Sequence, residues 1–229
     1  MHRAADTAKA AYTRRAIMKG FTVIYVDLQG SQNITAMNTD IILSQISQFV
    51  ALEDTEAKYL ESLLIPRTFK QGELIVESGG PARYLIFVND GYLMTYYTDK
   101  NDFDHVVQFA RTGWWTGDLH SLSNDIPTIY STKGLTNGEV LLLPKLAHDH
   151  LLEKYINFER YFRIIFQNSL MRLQFRMIES YSTTAEERYL AFREKHPKME
   201  QYVSQKYIAS FLGITPEFLS KIRRKLLQK

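Results

Sequence analysis

The spacing of apolar residues changes twice along this chain. From Asn38 they recur at helical intervals: Ile42, Ile46, Phe49 and Val50 make one side of a segment that Asn38 or Thr39 can cap. Asp54 to Leu64 reads as a second helix. From Pro66 to Leu143 the runs shorten to strand length and glycines punctuate them, at Gly72, Gly79, Gly80, Gly91, Gly113, Gly117, Gly134 and Gly138. Leu74–Val76, Tyr84–Val88, Tyr92–Tyr97, His105–Ala110 and Val140–Leu143 are the expected strands, with Asn89-Asp-Gly91 as a tight reversal. Many short, evenly spaced strands predict a closed or nearly closed antiparallel barrel. Pro144 ends the strand pattern, and the remainder is helical.

Lys145 to Lys154 forms one short predicted helix and Ile156 to Tyr181 a long one. Within the long one, Tyr161, Ile164, Asn168, Met171, Phe175 and Ile178 alternate spacings of three and four. That is a coiled-coil seam with one polar residue, which commonly sets register in a dimer; a buried helix of a monomer shows the same pattern. Phe158, Phe162, Ile165, Phe166, Leu170, Leu173 and Met177 add apolar surface expected to meet the barrel. Thr183 or Thr184 caps a further helix to Arg193, which His196-Pro197 ends.

The last stretch, Tyr202 to Lys229, has the pattern of a helix-turn-helix. Ser204 is placed to cap a short helix with Ile208, Phe211 and Leu212 inward, and Gly213 supplies the permissive backbone of the turn. Thr215 opens the second helix, Pro216 takes its first position, and Glu217 puts a negative charge in the first turn. Phe218, Leu219, Ile222 and Leu226 form its expected buried stripe, leaving Glu217, Ser220, Lys221, Arg224 and Gln228 outward. Hydrogen-bonding groups near the helix start with cations further along suit a major-groove reader; a solvated basic face on an ordinary helical hairpin is the plainer alternative.

Charge sharpens this picture. Residues 201–229 carry six Lys/Arg against one Glu, the first 36 carry five against two, and the stretch between is net negative by five. A basic end on an acidic body suits a sensor joined to a nucleic-acid reader. The chain has no cysteine, which excludes disulfides, thiolate-held clusters and thiol nucleophiles. No apolar run approaches the roughly 20 residues of a membrane helix, and Phe21–Val26 is short for a secretory signal, so the expected location is the cytoplasm. Residues 1–36 lack a sustained period and read as a frayed, possibly disordered extension; Arg3, Arg14, Arg15 and Lys19 could touch an acidic partner, and Met37 could be the start. The expected segments are this extension (1–36), a sensor barrel with flanking helices (37–154), a dimerisation helix (155–181) and a DNA-binding head (182–229).

That order of elements resembles the Crp/Fnr-type transcription regulators from about Asn38 to Lys229. The resemblance rests on Phe69–Ile75, Leu85–Gly91, Gly113–Leu119 and Ser204–Ile222 taken together. It implies an α+β fold: a double-stranded β-helix (jelly-roll-like) barrel, a long dimerisation helix and a helical head, here without a full wing because the sequence ends at Lys229. By resemblance the DNA-facing residues are Ser204, Gln205, Lys206, Thr215, Pro216, Glu217, Ser220, Lys221, Arg223, Arg224 and Lys225. Proline stands at Pro216 where an arginine is usual, Glu217 could accept from a cytosine amino group and Lys221 could donate to guanine.

The resemblance also implies an effector pocket at Trp115, Gly117, Asp118, Leu119, Thr128, Ile129 and Tyr130. Gly117-Asp118-Leu119 matches the half of the nucleotide cassette that holds a ribose hydroxyl. The half that neutralises the cyclic phosphate departs: Thr128 and Ile129 stand where Arg-Ser is expected, and no arginine lies between Arg111 and Arg160. A buried phosphate without its cation costs several kcal/mol, roughly three decades in affinity. Cyclic AMP is therefore not the expected effector. Trp114, Trp115, His120, Tyr130 and Tyr97 either line a more apolar pocket or simply fill the space. His148 and His150, two apart, point to different sides of a helix and read as solvated. No nucleophile, metal or cofactor constellation is visible, so the expectation is no enzyme and no cofactor. The resulting picture is a homodimeric regulator that binds duplex DNA, with a small effector other than cyclic AMP or none; the alternative is a ligand-binding signalling module of the same fold that has lost DNA binding.

Overall fold

A computed structural model describes residues 15–19, 22–26 and 37–228. Strands β1 (Arg15–Lys19) and β2 (Thr22–Val26) pair antiparallel, Ile17 opposite Ile24. They belong to a first unit, Met1–Met37, separate from the main unit Asn38–Lys229. Five residues per strand are too few for the alternation to stand out in sequence. The expectations placed on Arg3 and Arg14, and on the side chains of Arg15 and Lys19, lie outside the described residues.

The main unit opens with α1 (Asp40–Ser47) and α2 (Asp54–Leu63), whose buried residues include Ile42, Ile46 and Leu60. Eight strands follow: β3 (Ile65–Phe69), β4 (Leu74–Val76), β5 (Tyr84–Asp90), β6 (Tyr92–Thr98), β7 (Asp104–Arg111), β8 (Trp115–Thr116), β9 (Ser131–Gly134) and β10 (Gly138–Pro144). Helix α3 (Leu119–Asn124) lies between β8 and β9. The strands form two antiparallel four-stranded sheets, β3-β10-β5-β8 and β4-β9-β6-β7, as a jelly-roll-like pair should. Leu85, Ile86, Phe87 and Val88 of β5 are all buried, so this strand is covered on both faces and does not alternate. Gly138 allows the sheet to close: a Cβ there would stand 2.2 Å from the Asp90 carbonyl oxygen.

Helices α4 (Lys145–Lys154) and α5 (Ile156–Ser182) leave the barrel. The first turns of α5 are internal, burying Phe158, Tyr161, Phe162 and Ile165. Tyr161 is 0% exposed. Its hydroxyl accepts from Trp115 Nε1 at 2.8 Å and donates to Gln45 Oε1. Tyr161 therefore drops out of the predicted dimer seam, because its own barrel and α1 enclose it. Further along, Met171, Phe175 and Ile178 are exposed, with Leu170, Leu173, Met177 and Tyr181 beside them. The expectation that Leu170, Leu173 and Met177 pack on the barrel is thus corrected.

The head consists of α6 (Ala185–Lys195), α7 (Met199–Tyr202), α8 (Gln205–Leu212) and α9 (Pro216–Leu227). Thr184 and Glu187 close a reciprocal cap on α6. Gly213 turns the chain from α8 to α9 at φ 68°, in the left-handed region where a Cβ is disfavoured. Leu219 and Ile222 are buried, whereas Phe218 is 48% exposed, which removes it from the predicted inner stripe. One residue is a rotation of about 100° on a helix, enough to carry Phe218 off that face.

The head is seated on the sensor. One apolar cluster joins Met94, Val106, Phe109 and Leu135 of the barrel to Tyr189, Phe192, Ile208, Leu212 and Leu219 of the head. Helix α8 lies along β7, the outer strand of its sheet. The Ser210 hydroxyl accepts from Val106 N–H at 2.9 Å and donates to the Asp104 carbonyl at 2.7 Å. Arg176 of α5 donates to the Val107 carbonyl at 2.7 Å, and Lys133 of β9 donates to the Tyr207 hydroxyl at 2.8 Å. Changing Ser210 to Ala leaves Val106 N–H and the Asp104 carbonyl without this partner and should lower stability by about 1–3 kcal/mol in denaturant melts. A loss below about 0.5 kcal/mol would mean that water replaces the hydroxyl.

Candidate nucleic-acid face and effector cavity

Two local signals set up the terminal helix. The Thr215 hydroxyl accepts from Phe218 N–H at 3.2 Å, and Pro216 occupies the first helical position. Ser204 stands before α8, but there its backbone carbonyl, not its side chain, accepts from Tyr207 and Ile208 N–H. Gln205, Lys206, Thr215, Glu217, Ser220, Lys221, Arg224 and Lys225 are exposed together with Ser204, while Pro216 and Arg223 are half-buried. The Ser220 hydroxyl lies 3.1 Å from Gln205 Oε1, so α8 and α9 are linked on the outward side as well.

The cations of this face are not equivalent. Lys225 Nζ is paired with Glu186 at 2.5 Å, and Lys206 Nζ sits over the Phe103 and Tyr207 rings at 5.7 and 5.8 Å. Among the described residues Lys221, Arg223 and Arg224 form no ion pair, and Lys221 and Arg224 are the exposed ones. Of the eleven predicted residues, Lys221 and Arg224 are thus the exposed cations of α9 outside any ion pair among the described residues, flanked by Glu217 and Ser220.

The cassette expected to hold an effector is closed on itself. Asp118 caps α3, its Oδ1 accepting from Ser121 N–H at 3.1 Å, and its Oδ2 accepts from the Thr128 hydroxyl at 2.7 Å. That hydroxyl also accepts from Tyr130 N–H at 3.1 Å, and the backbone of Thr128 pairs with Gly79 and Gly80. Thr128 thus engages the very carboxylate that the resemblance assigns to a ribose. Ile129 is 57% exposed.

A cavity of about 170 Å³ lies alongside, between the barrel, α1 and α5. Trp115, Gly117 and Leu119 line it as predicted, whereas Asp118, Thr128, Ile129 and Tyr130 do not. Tyr97, His120 and Tyr130, proposed as aromatic lining, are also outside it; Tyr97 stacks on His105 instead. Asn168, assigned to the dimer seam, lines the cavity along with Ser169 and Arg172. Sequence reasoning missed Gln108, Ser169 and Arg172; the interruption of the apolar stripe of α5 by Ser169, Arg172 and Arg176 was the available signal. Burial holds the Tyr161 phenol above its ordinary value despite hydrogen bonds from Trp115 and to Gln45, so it stays neutral behind this wall. His148 is not solvated as expected: its ring packs edge-on against Phe162 at 4.6 Å, and burial lowers its affinity for a proton.

Residues 66–155 match the family model of the cyclic nucleotide-binding domain. No curated protein matches the sequence. Among solved structures, FixK2 from Bradyrhizobium japonicum is similar at TM-score 0.63 and 17% identity, over 72% of this chain and 85% of that one. The c-di-GMP responsive global regulator CLP from Xanthomonas campestris also gives 0.63, at 13% identity over 77% and 92%. A chain assigned to the crp/fnr family of transcriptional regulators, from Eubacterium rectale, gives 0.61 at 13% identity over 77% and 84%. At these identities the likeness is one of fold, and no helix among the described residues is long and apolar enough to cross a membrane. Residues 66–155 thus match the cyclic nucleotide-binding domain, and the chain shares its fold with these regulators, one of them assigned to the crp/fnr family.

Proposed function

We propose that this chain is a homodimeric, cytoplasmic, DNA-binding transcription regulator of the Crp/Fnr type, with α8 and α9 as its helix-turn-helix. The observation that carries the reading is the outward face of α9: Lys221 and Arg224 are exposed and free of ion pairs among the described residues, next to Glu217 and Ser220 at the capped start of the helix. Groups near the start reach base edges while cations further along meet phosphates. The exposed Met171, Phe175 and Ile178 of α5, which repeat at helical spacing, support a second copy as the partner of that helix. Two copies would present two α9 helices to successive major grooves about 34 Å apart.

The effector, where there is one, is other than cyclic AMP. Thr128 in place of a cation and its bond to Asp118 support this, because a cyclic nucleotide would have to break that bond and still lack a charge for its phosphate. Isothermal titration with cyclic AMP and cyclic GMP should show no saturable heat that depends on the cassette; micromolar binding of either that Asp118→Ala abolishes would refute this part.

DNA binding is tested by selecting duplexes from a random library with the full chain and measuring fluorescence anisotropy on the winners. Lys221→Ala should weaken selected sites by about 10- to 100-fold, more than unselected ones. Arg224→Ala should weaken both and lower the slope of log K against log salt by about 1. No enrichment at any salt concentration would remove the DNA-binding reading.

A further inference from the structure

Trp114 is the meeting point of three parts of the molecule. It lies in the turn between β7 and β8, and Arg111, the last residue of β7, holds its guanidinium carbon 5.5 Å from the ring centroid. Arg172 of α5 holds its own at 5.3 Å. His196, at the end of α6, meets the ring edge-on at 6.3 Å. Contact with an aromatic ring consumes none of a guanidinium's five N–H donors. Among the described residues neither the Arg111 nor the Arg172 guanidinium has a hydrogen-bond or ion-pair partner. Nδ1 of His196 is likewise buried without a partner.

Two exposed cations gathered on one ring with no counter-charge repel each other, and a bound anion would relieve that repulsion. Arg176, one turn further along α5, shows the contrast, since it satisfies itself on the Val107 carbonyl. Burial lowers the affinity of the Arg172 guanidinium for its proton, in keeping with a cation partly stripped of water and given nothing in return.

The ring also borders open space. A groove of about 580 Å³ runs from Arg111 and Trp114 to Asp40 and Gln45 of α1 and Gln48 just after it, and the smaller cavity beyond shares Gln45, Gly113 and Trp114 with it. Asp40 is the one carboxylate among the lining residues of both, against Arg111 and Arg172. Gln45 commits its Oε1 to the Tyr161 hydroxyl and keeps its NH2 available. Charge, donors and room therefore coincide at one place, outside the cassette that Asp118 and Thr128 hold shut.

We propose that the notch at Trp114 binds a small molecule bearing an oxyanion, a carboxylate or a phosphate, through the guanidiniums of Arg111 and Arg172. Each guanidinium carries the fork of N–H donors that a planar or tetrahedral oxyanion accepts, and Trp114 and Gln45, which border both spaces, receive the rest of the molecule. Because Arg111 belongs to the sensor, Arg172 to α5 and His196 to the head, occupancy draws the three together. This last consequence rests on the DNA-binding reading; the binding itself does not.

The test uses the full chain without DNA, at constant ionic strength set with chloride, and two probes: inorganic phosphate and benzoate. Saturable binding of either, followed by isothermal titration and by tryptophan fluorescence, is the expected result, and the better probe tells phosphate from carboxylate. Arg111→Gln and Arg172→Gln should each raise the dissociation constant by about tenfold or more, whereas Lys100→Gln, the same charge loss on an exposed turn, should leave it unchanged. Should Arg172→Gln fail to fold, Arg111→Gln decides alone, since its side chain is exposed. Absence of saturable binding for both probes, or equal constants in the Arg111→Gln and Lys100→Gln proteins, overturns the proposal. Loss of DNA selection with anion binding intact would instead count only against the regulator reading.

Discussion

The seating of α8 on the outer strand of the sensor sheet is the contact from which the remaining geometry follows. An edge strand exposes backbone donors and acceptors, and these must be covered or paired. Here β7 is covered from two directions, by the Ser210 hydroxyl of the head and by the Arg176 guanidinium of α5. The same contact merges the apolar interior of the head with that of the barrel. Its inner face being taken up in this way, the α8–α9 pair of the head has its polar face, with Lys221 and Arg224, turned to solvent. Orientation of the proposed DNA-reading surface is thus a property of the sensor sheet as much as of the head.

Helix α5 changes character along its length, and that change divides the labour of the chain. Its first turns are core, with Phe158, Tyr161 and Phe162 enclosed by the barrel and α1. Past Phe166 the apolar residues face outward, and the stripe towards the sheet turns polar with Ser169, Arg172 and Arg176. Phe175 is left 64% exposed there. Arg176 closes the β7 edge, while Arg172 stands over Trp114 without an acceptor. The two arginines, one turn apart, give one helix both a structural clamp and a free charge.

Much of this was readable from residue spacing alone. The long helix, the glycine turn at Gly213 and the cap at Thr215 follow from local rules that tertiary contacts had no cause to override. Strands β3, β8 and β9 were not foreseen, because two to five residues with Pro66, Thr116 or Lys133 among them carry no period of their own and are recruited by neighbours. The seam was half legible: spacing cannot say which surface a stripe meets, so Tyr161 and Asn168 were assigned to a second copy although the first chain encloses one and lines a cavity with the other. Nor could the sequence tell that Thr128 would turn its hydroxyl to Asp118, ten residues back, or that Lys225 would be held by Glu186. Such pairings depend on where loops and helix ends finally rest.

The proposed regulator combines a self-closed cassette, a sensor-seated head and a cationic helix face in a two-fold pair. Hydroxyl-radical footprinting of the full chain on a duplex selected from a random library addresses this most directly, since it reports contact, number and spacing together. The account predicts two protected patches on one side of the duplex, centred about 34 Å apart and related by symmetry. A single patch, or an unprotected backbone at protein concentrations that shift the duplex, would contradict it.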